Sequence, residues 1–178
     1  PITGKPGSYV VIWTTTPWTL PANLAIAVHP REKYLELKVG GNAYWVAESL
    51  ADSVISACSL KEVERGEELL GEQMVGWIAK HPFIDRESPV LSADYVTMDS
   101  GTGCVHTAPG HGLDDYLTGQ ANGLDVYCPL DDNGSYLDDG QIPQNLVGVS
   151  VLEKADGCPA NKEVLGILEK SGDLLALN

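Results

Sequence analysis

The sequence predicts a mainly β fold, a β-barrel-like core carrying a few peripheral helices. Three observations lead there. Short β-branched or alternating apolar runs recur along the chain, and helical spacing is rare. The regular strand–helix–strand alternation of a doubly wound sheet is missing.

Taken in order, residues 8–13 hold Tyr9, Val10, Val11 and Ile12, a β-branched run that reads as a strand. Residues 24–28, 34–39 and 43–47 follow as strands, with Gly40-Gly41-Asn42 as a hairpin turn between the last two. Ser49 to Cys58 changes the period: Leu50, Val54 and Ile55 share a helical face, and Ser49 or Asp52 supplies a cap. Strand patterning returns at 74–80, 90–97 and 102–107, where Trp77 reads as core, as does Trp45 earlier. Leu113 to Ala121 predicts a short helix that Gly123 stops. Residues 125–130 predict another strand, and Asn133-Gly134 a second hairpin turn before Ser135-Tyr136-Leu137. Asn161 to Lys170 is the clearest helix: Val164, Leu165 and Leu168 share a face, and Ser171-Gly172 ends it.

The 178 residues suit one domain, 1–178, with a core large enough to fold alone. Hydrophobic content of 43% and charged content of 20% describe a soluble globular chain, and no apolar run approaches the ~20 residues of a membrane span. Pro1 to Pro6 shows neither Met nor a signal-peptide pattern, which reads as an excised domain or a processed chain. Eleven Lys and Arg against 25 Asp and Glu leave a formal charge of −14. That balance disfavours autonomous binding to nucleic acid, whose affinity comes largely from cations on phosphates. It leaves room for a site that takes only the tip of a nucleic acid held elsewhere. Cys58, Cys104, Cys128 and Cys158 form no CxxC pair, so a reduced, cytoplasmic chain is the simpler account.

Two stretches carry chemistry. Trp13 to Asn23 (WTTTPWTLPAN) crowds threonines, tryptophans and prolines together without a charge. Hydroxyls both donate and accept, so Thr14, Thr15, Thr16 and Thr19, stiffened by Pro17 and Pro21, form a rigid neutral edge for a polar ligand or a water. Gly101 to Tyr116 (GTGCVHTAPGHGLDDY) reads as glycine turn, short strand, glycine-rich loop and helix start. Asp114 and Asp115 fall in the first helical turn, where carboxylates suit the macrodipole. For Asp114 that role suffices, whereas for Asp115 a structural and a functional reading stand level. His106 is open to three readings: a general base, a metal ligand with Cys104 and His111, or a hydrogen-bonded core histidine. Cys104 and His106 share a strand face, yet one Cys-x-His with one further His lacks the spaced pairs of zinc sites. His29 and His81, each before a proline, read as loop residues. GxxxxGK, GxGxxG and GxSxG are all missing.

Together these stretches resemble the editing domain of isoleucyl-tRNA synthetase, in the right order and over essentially the whole chain. The sister domains of the valine and leucine enzymes share that fold, but usually carry Arg where this chain has Thr16 and an acidic residue where it has Trp18. Cys104 stands where the family often has alanine. The resemblance implies hydrolysis of the ester joining valine to tRNA specific for isoleucine, with valyl-adenylate as a further substrate. One methylene is worth only about 1–3 kcal/mol in an apolar pocket, a limit for which this very selection is the standard illustration, so a second, size-limited site is needed.

The resemblance also implies roles. Asp115 binds the α-ammonium, and His106 limits side-chain size. Thr14, Thr15, Thr16 and Thr19 line the pocket and place the attacking water. Trp18 forms an aromatic wall, and Asn23 matches a position linked to editing. The implied partners are the CCA end of tRNA carrying valine and the rest of a synthetase chain, with the isolated domain a monomer. The implied domain needs no cofactor or metal of its own, ATP and zinc belonging elsewhere in such an enzyme. Non-catalytic capture of amino-acid-like ligands is the competing reading, and a hydrolase using Cys104, His106 and His111 to hold a metal is the third.

Overall fold

The computed structural model describes residues 1–177. In chain order its strands are β1 (Ser8–Val10), β2 (Ala25–Val28), β3 (Lys33–Val39), β4 (Asn42–Ala47), β5 (Glu64–Leu70), β6 (Ile78–Lys80), β7 (Glu87–Ser92) and β8 (Cys104–Thr107). The helices are α1 (Ala51–Ala57), α2 (Gly71–Met74), α3 (Leu113–Ala121) and α4 (Pro159–Ser171). The strands form two four-stranded sheets, ordered β1-β4-β3-β5 and β6-β7-β2-β8. β1 with β4 and β2 with β7 run parallel, while the remaining pairs are antiparallel. The fold is mainly β with few helices, as the sequence predicts.

One core cluster joins the sheets: Ile26, Val28 and Val90 come from one, Tyr34, Trp45 and Ala47 from the other. Burying each large apolar side chain of this kind contributes about 1.5–3 kcal/mol. A second cluster packs Val164 and Leu168 of α4 against Tyr136, Ile142, Leu146 and Leu20. It presses the C-terminal helix onto the threonine-rich segment.

Tyr34, fully buried, ties the sheets by polar contacts as well. Its hydroxyl donates to the Gly103 carbonyl at 2.6 Å and accepts the His29 N–H at 2.9 Å. Tyr34→Phe strands a buried donor and acceptor together, so chemical denaturation is expected to show a loss of about 1–3 kcal/mol. An unchanged midpoint would show that these bonds contribute nothing.

Most elements fall where the sequence puts them. Gly40 and Gly41 turn β3 into β4 with φ of +58° and +87°, the positive pair that a tight hairpin requires. α3 spans Leu113–Ala121 as expected, and α4 starts two residues early because Pro159 fits a first helical turn. Four expected strands need correction. The strand expected over 8–13 ends at Val10. The strand expected over 74–80 shrinks to Ile78–Lys80, because Gly71–Met74 coils and Gly76 turns with φ of +88°. The strand expected over 90–97 lies at Glu87–Ser92 and ends before the turn that carries Tyr95. Residues 125–130 form no strand, and only Leu130 makes an isolated bridge, to Tyr136. Conversely, the charged segment Glu64–Leu70 is a full edge strand on β3.

Candidate functional site

After β1 the chain runs through Trp13 to Thr16 and tightens into a 3₁₀ turn, Pro17–Ala22. Proline at its first position presets the backbone angle and lacks only an N–H that would have gone unpaired. Thr14 Oγ1 accepts the Thr16 N–H at 3.0 Å, and the Thr19 N–H reaches the Thr16 carbonyl at 3.0 Å. Distant side chains hold the turn from behind. Asn161 Oδ1 accepts the Trp18 N–H at 2.9 Å, and the Tyr136 hydroxyl donates to the Trp18 carbonyl. Arg86 Nη1 donates to the carbonyls of Pro21 at 2.9 Å and Asn23 at 3.0 Å. His81 lies in a loop, as expected, and is buried there. Its Nδ1 accepts the Phe83 and Ile84 N–H groups, so its Nε2–H donates to the Leu20 carbonyl at 2.8 Å.

β8 brings the second stretch alongside. It pairs antiparallel with β2, with His106 opposite Ile26, and the Leu24 N–H bonds the Thr107 carbonyl at 2.9 Å. The glycine-rich loop then packs tightly: a Cβ on Gly110 would lie 2.3 Å from the Tyr127 carbonyl oxygen, so only glycine closes it.

The two stretches, together with residues 95–97, line an open-sided cavity of about 400 Å³, within the range of small-molecule sites. Thr14, Thr15, Thr16, Thr19, His106 and Asp115 all line it. Trp18 and Asn23 are not on its lining. The Trp18 ring meets His111 edge-to-face at 5.1 Å, and His111 does face the cavity. Asn23 is buried behind His106.

Asp115 projects from the first turn of α3. Its Oδ2 accepts the Ala108 N–H at 2.9 Å and its Oδ1 the Tyr95 hydroxyl at 3.3 Å. Burial pushes its pKa above the usual aspartate range, while those two hydrogen bonds pull it back. The cavity thus holds a partly desolvated carboxylate with both oxygens oriented.

His106 is 8% exposed, and both of its ring nitrogens are engaged. Nε2 lies 2.8 Å from Thr19 Oγ1, and Nδ1 lies 3.3 Å from Asn23 Nδ2. Burial lowers its pKa to about 4, helped by neighbouring His81 and His111, and burial likewise lowers His81 to about 4. Both rings are therefore neutral at pH 7. The unfolded chain, with histidines near the ordinary 6.5, binds more protons between those values. Stability is thus expected to fall as pH drops from about 6.5 towards 4. Thermal melts at pH 7 and pH 5 check this, and replacing His81 by Gln should shrink the difference.

Cys104 Sγ faces the Trp45 carbonyl at 4.0 Å in the core, and burial pushes its thiol pKa far upward. Among the described residues no group of three or more His, Cys, Asp and Glu side chains is placed to hold a metal.

Residues 5–146 match the family model described as the editing domain of leucyl-tRNA synthetase. The chain belongs to that editing-domain family. Among its relatives are isoleucine–tRNA ligases of Nitratidesulfovibrio vulgaris (strain DP4), 48% identical over 95% of this chain, and of Petrotoga mobilis, 44% identical over 98%. The chain spans only 17% and 18% of the length of those two ligases. The crystal structure of GlLeuRS-CP1 has the same fold, with a TM-score of 0.67 at 16% identity over 93% of this chain and 82% of that one. The P. falciparum cytosolic leucyl-tRNA synthetase editing domain in space group P1 gives 0.58 at 14% identity, covering 92% and 76%.

The editing domain's cavity also uses residues to which the sequence gives no role in the site. Tyr95 touches Asp115, and half-exposed Trp13 packs over Gly101 at the cavity wall. His81 and Arg86 hold the 3₁₀ turn from 61 to 65 residues away, a separation that no local pattern betrays. Among the described residues no helix is long and apolar enough to cross a membrane.

Proposed function

We propose that this domain hydrolyses the ester of valine on the tRNA that accepts isoleucine, and excludes isoleucine by size. The observation that carries the reading is the state of His106. With both nitrogens already hydrogen-bonded, to Thr19 and Asn23, the ring has only carbon atoms left to offer the cavity it lines. It therefore serves as a wall, while Asp115 in the same cavity offers the anion that an α-ammonium needs.

In this mechanism the substrate ammonium sits against Asp115, and the valine side chain is bounded by His106. A water held by the threonine edge attacks the ester carbonyl. The C–O bond to the terminal ribose breaks, the amino acid leaves as a carboxylic acid, and the ribose oxygen takes the proton. Thr14 is suited to hold that water, because its oxygen is fixed by the Thr16 N–H and its own hydrogen is free to turn. Cys104 is buried, which supports direct attack by water over a protein nucleophile. Valyl-adenylate presents the same ammonium and side chain beside the same carbonyl, and is the second proposed substrate. No cofactor or metal takes part in this scheme. With a formal charge of −14, the domain takes only the CCA end of tRNA, while the rest of a synthetase chain holds the body.

The test is deacylation of valyl- and isoleucyl-tRNA of the isoleucine type, with EDTA present. Full-length synthetase carrying this domain, its charging site disabled, is expected to accelerate loss of valine and leave isoleucine at the spontaneous rate. The chain alone is expected to do the same more weakly, at high concentration and low salt. Absence of any acceleration in the full-length protein would overturn the proposal, and activity that EDTA abolishes would favour a metal hydrolase.

A further inference from the structure

We infer that Ser88 and Asn23 are positioning residues: with the Ala25 carbonyl they hold the His106 proton on Nε2, where Thr19 Oγ1 takes it up. The geometry stands by itself, and its consequence for editing rests on the reading above.

The direction of each bond follows from what each atom is able to do. The Ala25 carbonyl oxygen only accepts, so the Asn23 atom 2.8 Å from it is the amide nitrogen Nδ2. That makes Oδ1 the atom 2.6 Å from Ser88 Oγ, and the serine must donate. The second Nδ2 hydrogen points to His106 Nδ1 at 3.3 Å, which must accept. A neutral ring that accepts at Nδ1 carries its proton on Nε2, and that proton goes to Thr19 Oγ1 at 2.8 Å. Thr19 passes its own hydrogen to the Thr16 carbonyl at 2.9 Å. The relay runs in one sense from β7, through β8, to the turn that bears the threonines. Ser88 is 2% exposed and Asn23 5%, so water is nearly excluded from it.

Two consequences follow. His106 has no lone pair left with which to take a proton from water, and the Thr19 hydroxyl is committed as both donor and acceptor. The ring edge is also fixed against rotation, which a size limit of one methylene demands.

The experiment reads the imidazole nitrogens directly, by long-range ¹H–¹⁵N correlation on the labelled chain without substrate, assigned with a His106 variant. The wild type should show a neutral ring protonated at Nε2 at pH 7. Asn23→Asp keeps the shape but turns the group facing Nδ1 into an acceptor, and should move the proton to Nδ1 or protonate the ring. Ser88→Ala should leave Asn23 Oδ1 without its donor and broaden or shift the His106 signals. In deacylation assays both variants should lose at least tenfold of the preference for valyl over isoleucyl ester. A wild-type proton on Nδ1, or an Asn23→Asp protein with unchanged nitrogen shifts, would overturn the relay whatever the assay reads. Unchanged shifts and preference in folded Ser88→Ala would remove Ser88 from it. If the shifts move as expected but wild type hydrolyses no ester, the relay stands and the editing reading fails.

Discussion

Asp115→Asn is expected to lower kcat/KM for valyl-tRNA deacylation about 30-fold or more while leaving Tm at pH 7 unchanged or raised. Truncating one partner of a desolvated, hydrogen-bonded charge pair costs about 2–5 kcal/mol, and each 1.4 kcal/mol is tenfold. Asparagine keeps an oxygen for the Ala108 N–H or the Tyr95 hydroxyl, so the loss isolates charge from shape. The stability half follows from sign. The folded pKa of Asp115 lies above its ordinary value because burial disfavours the anion. Above that pKa the ionised group lowers stability relative to a neutral one, and the variant removes the cost. Ammonium binding needs the ionised form, so the wild-type rate should decline as pH falls through a pKa above 3.8. That acid limb should vanish in Asp115→Asn. Kinetics against pH and calorimetry at pH 7 check both halves. A variant that keeps its activity but melts lower would return Asp115 to the structural role that its place in the first turn of α3 also allows.

The cavity was legible in the sequence to the extent that its walls are local. Thr14 to Thr19 and Cys104 to Asp115 are two short segments whose composition reveals a polar edge, a glycine loop and a helix start. What stayed hidden are the contacts between segments. Tyr95 sits in a turn with no distinctive pattern, yet it bonds Asp115 across 20 residues. Arg86 and Ser88 lie outside every element the sequence predicts, and their contacts appear only once β7 is laid beside β2. The fold shows the same division. The hairpin at Gly40-Gly41 follows from backbone sterics alone, which glycine satisfies locally. Glu64–Leu70 lacks apolar alternation because it is an exposed edge strand, held by backbone bonds to β3 rather than by burial. Residues 125–130 have strand composition but spend it elsewhere: Tyr127 carries the Arg86 guanidinium on its ring and bonds Asp139, while Val126 is 61% exposed. This segment braces the glycine loop at Gly110, a role set by tertiary packing.

His106→Ala is expected to open the cavity to isoleucine. Relief of an overpacked contact is worth about 1–3 kcal/mol, which is about 5- to 150-fold in the isoleucyl-ester rate. Valyl-ester hydrolysis should persist within about tenfold, because Asp115 and Thr14 keep their own partners. The substitution also strips a partner from Asn23 Nδ2 and from Thr19 Oγ1. Part of the wall's effect therefore comes through the Thr19 turn, and some loss of Tm is expected as well. Measuring both esters separates the two ways in which a histidine serves a site. A wall that is removed widens specificity and leaves the favoured reaction running. A proton acceptor that is removed slows both esters and admits nothing new. Loss of valyl-ester hydrolysis with isoleucyl ester still untouched would make His106 a catalytic residue, and would require one of its nitrogens to leave the bonds to Thr19 and Asn23 during turnover.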